Sequence, residues 1–143
     1  LVGDGPERQN VEKLTRQVCM EDDVYFLGKQ EAVEELLAIA DLFVLPSETE
    51  SFGLAALEAM ACEVPVISTN TGGIPEINVQ GVTGYLSNVG DVDDMAANAI
   101  KILSDESTLL QFRKNAIAQA NKFSLDSILP MYEAYYRKVI EQK

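Results

Sequence analysis

The sequence predicts an α/β domain: a parallel sheet with helices on both faces and extra helices at its C-terminal end. Three observations carry that reading. Up to Leu86, short apolar runs alternate with longer amphipathic ones. Residues 42–45 and 64–68 are apolar almost throughout, as in strands covered on both faces. Beyond residue 91 every stretch has helical spacing and a capping residue ahead of it.

Taken in order, residues 1–2 read as the end of a strand, which suggests a fragment of a longer protein. They lead into Gly3-Asp4-Gly5-Pro6, a turn with Pro6 at the expected first helical position. That helix runs to about residue 20. Residues 24–27 form a short strand and 31–40 a second helix. The apolar strand 42–45 precedes a helix over 52–62, and the strand 64–68 precedes a short helix over 75–79. A last strand covers 84–86. Strands separated by helices in this rhythm pair in parallel. Helices follow over 92–103 after Asp91, over 106–121 after Ser104 or Asp105, and over 125–141 after Ser124.

Composition narrows the function. The chain has 143 residues, enough for one domain with a real core. With 47% hydrophobic and 24% charged residues it is globular rather than disordered. No apolar run approaches the ~18 residues that a membrane span needs, and no basic-then-apolar leader opens the chain. Eleven Lys and Arg stand against 23 Asp and Glu, for a net charge of −12. Such a surface repels nucleic acid and anionic lipid, so any bound anion must be held by backbone N–H groups or a few chosen cations. There is no His, which excludes a Ser-His-Asp triad, a Cys-His pair and most zinc sites within this chain. Cys19 and Cys62 are expected as two buried reduced thiols, which fits a cytoplasmic protein.

Ligands of parallel α/β sheets bind beyond the C-terminal ends of the strands. Four loops qualify: residues 3–6, 28–30, 46–52 and 69–73. The third, Pro46-Ser-Glu-Thr-Glu50-Ser51-Phe52-Gly53, enters a helix with one charged residue in ten, Glu58. An all-apolar helix is buried, and a buried carboxylate needs a partner. Glu58 therefore either meets a pair of ligand hydroxyls or reaches solvent at the helix edge. The N–H groups of Ser51, Phe52, Gly53 and Leu54 stand at the helix start, suited to phosphate. Glu50 beside them either accepts hydrogen bonds from ligand hydroxyls or caps the helix. Gly3-Asp4-Gly5 is a Gly-x-Gly turn whose third glycine is replaced by Arg8; it is a dinucleotide-type loop or a tight turn. Lys29 and Gln30 after Gly28 reach a base or phosphate, or form a surface turn. Gly72-Gly73 is a ligand loop or one with strained dihedrals. Asp91, Asp93 and Asp94 lack calcium-loop spacing and suit a helix start. Tyr132, Tyr135 and Tyr136 share a helical face with Ile128 and Val139, which points to core or interface packing.

The ordered series Glu50-Ser-Phe-Gly-Leu-Ala-Ala-Leu-Glu58, Val64-Pro65-Val66-Ile67 and Gly72-Gly73-Ile74-Pro75-Glu76 closely resembles the retaining GT-B glycosyltransferases of family 4. The resemblance covers nearly the whole chain. It implies the C-terminal, Rossmann-like domain that binds the nucleotide-sugar donor, with the acceptor-binding N-terminal domain and the basic diphosphate ligands lying upstream. Phe26-Leu-Gly-Lys-Gln30, Val33-Glu-Glu-Leu-Leu37 and Ser47-Glu-Thr-Glu-Ser-Phe-Gly53 look like the members that make the first intermediate of bacillithiol. These transfer N-acetylglucosamine from UDP-N-acetylglucosamine to the hydroxyl of L-malate.

By this resemblance Glu58 binds the ribose hydroxyls of UDP and Glu50 the donor-sugar hydroxyls, as the catalytic carboxylate. Ser51, Phe52, Gly53 and Leu54 meet sugar and diphosphate, Gly5 belongs to the donor site, and Gly28, Lys29 and Gln30 face the uracil. Ser51 departs from the glycine commonest at its position in the family. No metal is implied, and the domain alone is expected to be inactive. A relative using another nucleotide-sugar or a lipid or polysaccharide acceptor, or a non-enzymatic nucleotide-binding module, are the competing readings.

Overall fold

The computed structural model describes residues 1–142, in two compact units, Leu1–Val33 and Glu34–Lys143. Within the first, α1 (Arg8–Gln17) is the one helix. It starts later than Pro6: the Arg8 N–H first closes a turn onto the Gly5 carbonyl at 3.1 Å, and Glu7 is the cap. It also ends early, where Cys19 takes a left-handed φ of 57° and donates to the Arg16 carbonyl. Cys19 is exposed there and Cys62 half-buried, so neither is the buried thiol expected from the sequence.

The two strands expected at 1–2 and 24–27 are not regular strands. Their pairing nevertheless exists. The Leu1 amino group donates to the Tyr25 carbonyl at 2.6 Å and the Leu27 N–H to the Leu1 carbonyl at 2.9 Å, the first rungs of a parallel ladder. The next rung should take the Leu27 carbonyl. Instead the Gly3 N–H bonds the Gly28 carbonyl at 2.7 Å, one residue on. Gly28 has φ +67°, and this left-handed step produces the slip.

From the last residue of the first unit into the second runs α2 (Val33–Leu37), a short helix of half the length expected. A three-stranded parallel sheet follows, in the order β1 (Phe43–Leu45), β2 (Val66–Thr69), β3 (Gly84–Ser87). Phe43 pairs with Val66, and Val66 with Gly84. The crossovers are α3 (Leu54–Ala61) and α4 (Ile74–Ile77). Parallel strands advancing one way with right-handed crossovers place both on one face. Ile67 and Tyr85, on the other face, are buried with Met95 and Ile102 of α5 (Val92–Leu103) and Phe112 of α6 (Glu106–Ala120). The central strand β2 is buried at every position. The edge strand β1 is not: Val44 is 50% exposed, so the expectation of cover on both faces holds for β2 alone.

Polar staples fix the ends of these elements. Asn78, fully buried after α4, donates to the Val66 carbonyl (3.2 Å), Ser68 Oγ (2.7 Å) and the Tyr85 carbonyl (3.2 Å). Its own Oδ1 accepts from Thr83 Oγ1 at 3.0 Å. Arg113 on α6 donates to the Ala40 carbonyl and to Asp41 at 2.7 Å, just ahead of β1.

The later helices follow their caps. Asp91 accepts from the Asp94 N–H, Asp105 from Thr108, and Ser124 from Ser127 at the start of α7 (Leu125–Glu141). The hydroxyl of Thr108 first, then that of Ser107 and the Thr108 amide, hold the Asp105 carboxyl well below the usual value, at about 2. A depressed native pKa makes this cap fully stabilising above the unfolded value of about 3.9. The contribution fades as pH falls through that value towards 2. Asp105→Asn keeps a capping oxygen but cannot titrate. The stability gap between the two proteins should therefore narrow from pH 4 to pH 2 in acid unfolding followed by circular dichroism. A constant gap over that window would show that the carboxyl is not held ionised.

No residue of α7 is buried. Tyr132, Tyr135 and Tyr136 are each more than half exposed, so the core-packing reading of that face is overturned.

Candidate functional site

The loop that follows β1, residues 46–53, is held along its length by the loop that follows β2, residues 69–73. Thr69 Oγ1 donates to the Ser47 carbonyl at 2.5 Å and Thr71 Oγ1 to the Glu48 carbonyl at 3.3 Å. The Gly73 N–H donates to the Ser51 carbonyl at 3.1 Å. Between these bonds the Glu50 carbonyl sits against Gly72, where an added Cβ would lie 1.5 Å from its oxygen. Gly72 also has φ +56°. The strained-dihedral reading of the Gly72-Gly73 pair thus has a basis: the dihedral is left-handed, and the Glu50 backbone passes directly over Gly72.

Glu50 is half-buried, and its Oε1 accepts from the Ser51 N–H at 3.0 Å. It does not cap α3. The helix starts at Leu54, its cap is Gly53 at φ +92°, and no side chain bonds its first turn. The Leu57 N–H makes the first helical bond, to Gly53. The unpaired donors of the helix start thus include Leu54, as the sequence suggested, and extend to Ala55 and the buried Ala56. Ser51 spends its N–H on Glu50. Phe52 stands outside the helix, and its ring packs edge-on against Phe123 at 5.8 Å.

Glu58 is exposed. α3 turns Ala56, Ala59 and Met60 inward, each fully buried. Leu54, Ala55 and Glu58 face out, with Leu54 64% exposed. The argument that Glu58 is a buried carboxylate needing a partner is thereby overturned. A helix rich in Ala buries its small side and can leave Leu outside. What the geometry provides is a solvent-facing carboxylate one turn beyond Leu54, on the same face as the helix start. Beside it an open apolar groove is lined by Phe52, Leu54, Leu57, Phe123, Tyr132 and Tyr135.

The remaining candidates lie in the first unit. The Gly5 N–H bonds its neighbour Asp4 at 3.0 Å, the geometry of a tight turn. Gln30 folds back so that Nε2 donates to the Leu27 carbonyl at 2.6 Å, and Lys29 is exposed. Arg8, which the sequence reading noted only as a missing glycine, lies with Nη1 3.7 Å from where a Gly28 Cβ would stand. Its guanidinium pKa is raised, first by the hydrogen bond to Glu12 at 2.9 Å.

In the second unit, one sheet edge thus presents a carboxylate on a braced loop, a helix start with free N–H groups and an exposed carboxylate one turn on. Acceptors for hydroxyls flank donors for an anion, the complement of a phosphorylated sugar. The sequence placed residues 69–73 among the four loops where a ligand could approach, and left Gly72-Gly73 open between a ligand loop and strained dihedrals. The structure gives residues 69–73 the task of bracing the loop that carries Glu50.

The chain is similar to known proteins. Residues 1–119 match the family described as glycosyl transferases, group 1. The chain is 48% identical over 141 residues to the N-acetyl-alpha-D-glucosaminyl L-malate synthase of Bacillus anthracis, covering 98% of this chain and 37% of that protein. It is 36% identical over 128 residues to the sulfoquinovosyl transferase SQD2 of Arabidopsis thaliana, covering 86% and 24%. Among solved structures, Anabaena HepE in complex with UDP superposes with a TM-score of 0.88 at 29% identity, over 96% of this chain and 40% of that one. The chain therefore spans two fifths or less of the length of each of these proteins. Among the described residues no helix is long and apolar enough to cross a membrane.

Proposed function

This chain belongs to the family of group 1 glycosyl transferases, and on that premise we propose that it is the donor-binding domain of a retaining family 4 hexosyltransferase. The donor is UDP-N-acetylglucosamine and the acceptor L-malate, in the cytoplasmic pathway to bacillithiol. The carrying observation is the braced loop 46–53, with Glu50 before the helix start and Glu58 after it. Identity of 48% to a protein named for transfer to malate supports the acceptor. Solved structures of one relative, Anabaena HepE, with UDP or UDP-glucose bound support a uridine donor.

In this reading Glu50 accepts hydrogen bonds from the donor-sugar hydroxyls and Glu58 from the ribose hydroxyls. The N–H groups of Leu54 and Ala55, exposed at the helix start, face the diphosphate. Gly28, Lys29 and Gln30 in the first unit are assigned to the uracil by resemblance alone, and Gly5 to the donor site on the same ground. The acceptor hydroxyl oxygen bonds to the anomeric carbon on the face from which the phosphate leaves. The carbon–oxygen bond to UDP breaks, and the hydroxyl proton passes to the departing phosphate. Stabilising charge on that phosphate is the main contribution of the protein. With a net charge of −12 overall, the helix-start N–H groups are what this loop offers an anion.

Titration with UDP, UDP-N-acetylglucosamine, ADP and GDP, followed by amide NMR, tests the reading. Uridine ligands alone should shift Leu54 to Ala56, and Glu58→Ala should weaken their binding about tenfold, the worth of hydrogen bonds to a charged group. Equal shifts with ADP, or none with UDP, would overturn the donor assignment. Release of UDP that depends on L-malate then tests the acceptor. Release with a lipid or polysaccharide acceptor instead would favour the second reading.

A further inference from the structure

We propose that residues 69–73 are a positioning device for the donor sugar, with Gly72 acting through the main chain of Glu50 and Thr71 through that of Glu48 in the same loop. This rests on the assignment of Glu50 to the sugar hydroxyls. Four contacts carry the inference. Thr69, Thr71, Gly72 and Gly73 meet Ser47, Glu48, Glu50 and Ser51 in the same order along both loops. The loop bearing the carboxylate has no regular structure of its own, since β1 ends at Leu45 and α3 begins at Leu54. Its shape is therefore imposed from the neighbouring loop.

Gly72 sets the tightest of these contacts. A methyl group there would stand 1.5 Å from the Glu50 carbonyl oxygen, and real contacts of this kind begin near 3.0 Å. The two backbones would have to part by about 1.5 Å, the difference of those distances. The atom displaced belongs to the residue whose carboxylate is to meet the sugar. Misplacement of about 1 Å at a reacting centre costs up to ~100-fold. The helix start is less affected, because Gly53 is separately packed against Ile74 and Ile77. Substitution at Gly72 should thus weaken the hold on the sugar while sparing the nucleotide.

The test uses the full-length protein and compares dissociation constants for UDP and UDP-N-acetylglucosamine. In Gly72→Ala the constant for UDP-N-acetylglucosamine should rise about tenfold while that for UDP changes less than ~2-fold. Glu50→Gln should show the same split. The double variant should be no worse than Glu50→Gln within ~2-fold, because Gly72 acts through Glu50. A merely structural glycine would instead weaken both ligands alike, or neither, and would add to Glu50→Gln; any of these overturns the inference. Should Glu50→Gln show no split, the sugar assignment of Glu50 fails first, and the positioning role with it. If circular dichroism shows Gly72→Ala unfolded, Thr71→Val decides. It keeps the side-chain shape, loses the bond to the Glu48 carbonyl, and should raise only the sugar-nucleotide constant, by about threefold for one neutral hydrogen bond. An unchanged constant in that variant overturns the inference.

Discussion

Glu50→Gln is expected to lower kcat/KM for UDP-N-acetylglucosamine about 100-fold, two tenfold steps of 1.4 kcal/mol each. The substitution is nearly isosteric. The Gln Oε1 can still take the Ser51 N–H that Glu50 holds at 3.0 Å, so the loop keeps its shape. What is lost is the negative charge, which makes hydrogen bonds to hydroxyls worth about 1.5–3 kcal/mol rather than ~1. Two sugar hydroxyls held by one carboxylate account for the size of the effect. Steady-state release of UDP, with L-malate saturating, measures it. A fall of less than ~3-fold, the scale of one neutral hydrogen bond, would place the sugar hydroxyls elsewhere.

The second large effect concerns stability. Asn78→Ala should cost about 3 kcal/mol, near the upper end for single substitutions. The side chain is fully buried and shares two N–H protons among three acceptors, on β2 and β3. Its removal takes a donor from the Val66 and Tyr85 carbonyls and from Ser68 Oγ, at about 1–3 kcal/mol for each that nothing replaces, while Thr83 Oγ1 keeps its bonds to Val79. The gap, lined by these polar atoms, admits some water, which keeps the total below the simple sum. Urea unfolding at neutral pH gives the number. A loss under ~1 kcal/mol would mean that the strands do not depend on this staple.

What could be read from the sequence was what local chemistry decides. The helices behind Asp91, Asp105 and Ser124 have the expected starts, because a cap needs only its own next three residues. Parallel pairing of β1, β2 and β3 followed from apolar runs separated by helices. Burial was harder. Ala is indifferent to which side it faces, so the composition of α3 could not show that Leu54 and Glu58 point outward. Val44 looked like a core residue, but cover over a strand depends on distant segments. Asn78 gave no signal at all, since one Asn after a short helix is ordinary until three acceptors converge on it. At the site, the glutamate pair and its order were legible. The bracing by Thr69, Thr71 and Gly72 was not, because it depends on two loops 22 residues apart lying side by side.

α7, with none of its residues buried, has a thermodynamic meaning of its own. Its 17 residues include Pro130 and sit just above the length at which helices in water are marginal, ~12–15 residues. In this chain the helix can fray and re-form without disturbing β2, whose every position is covered. Amide protons in α7 would then exchange through opening of that helix alone, and those in β2 only when the whole unit unfolds. No single unfolding free energy describes such a molecule. It has a deep basin built around the central strand and a shallow one at its C-terminal helix.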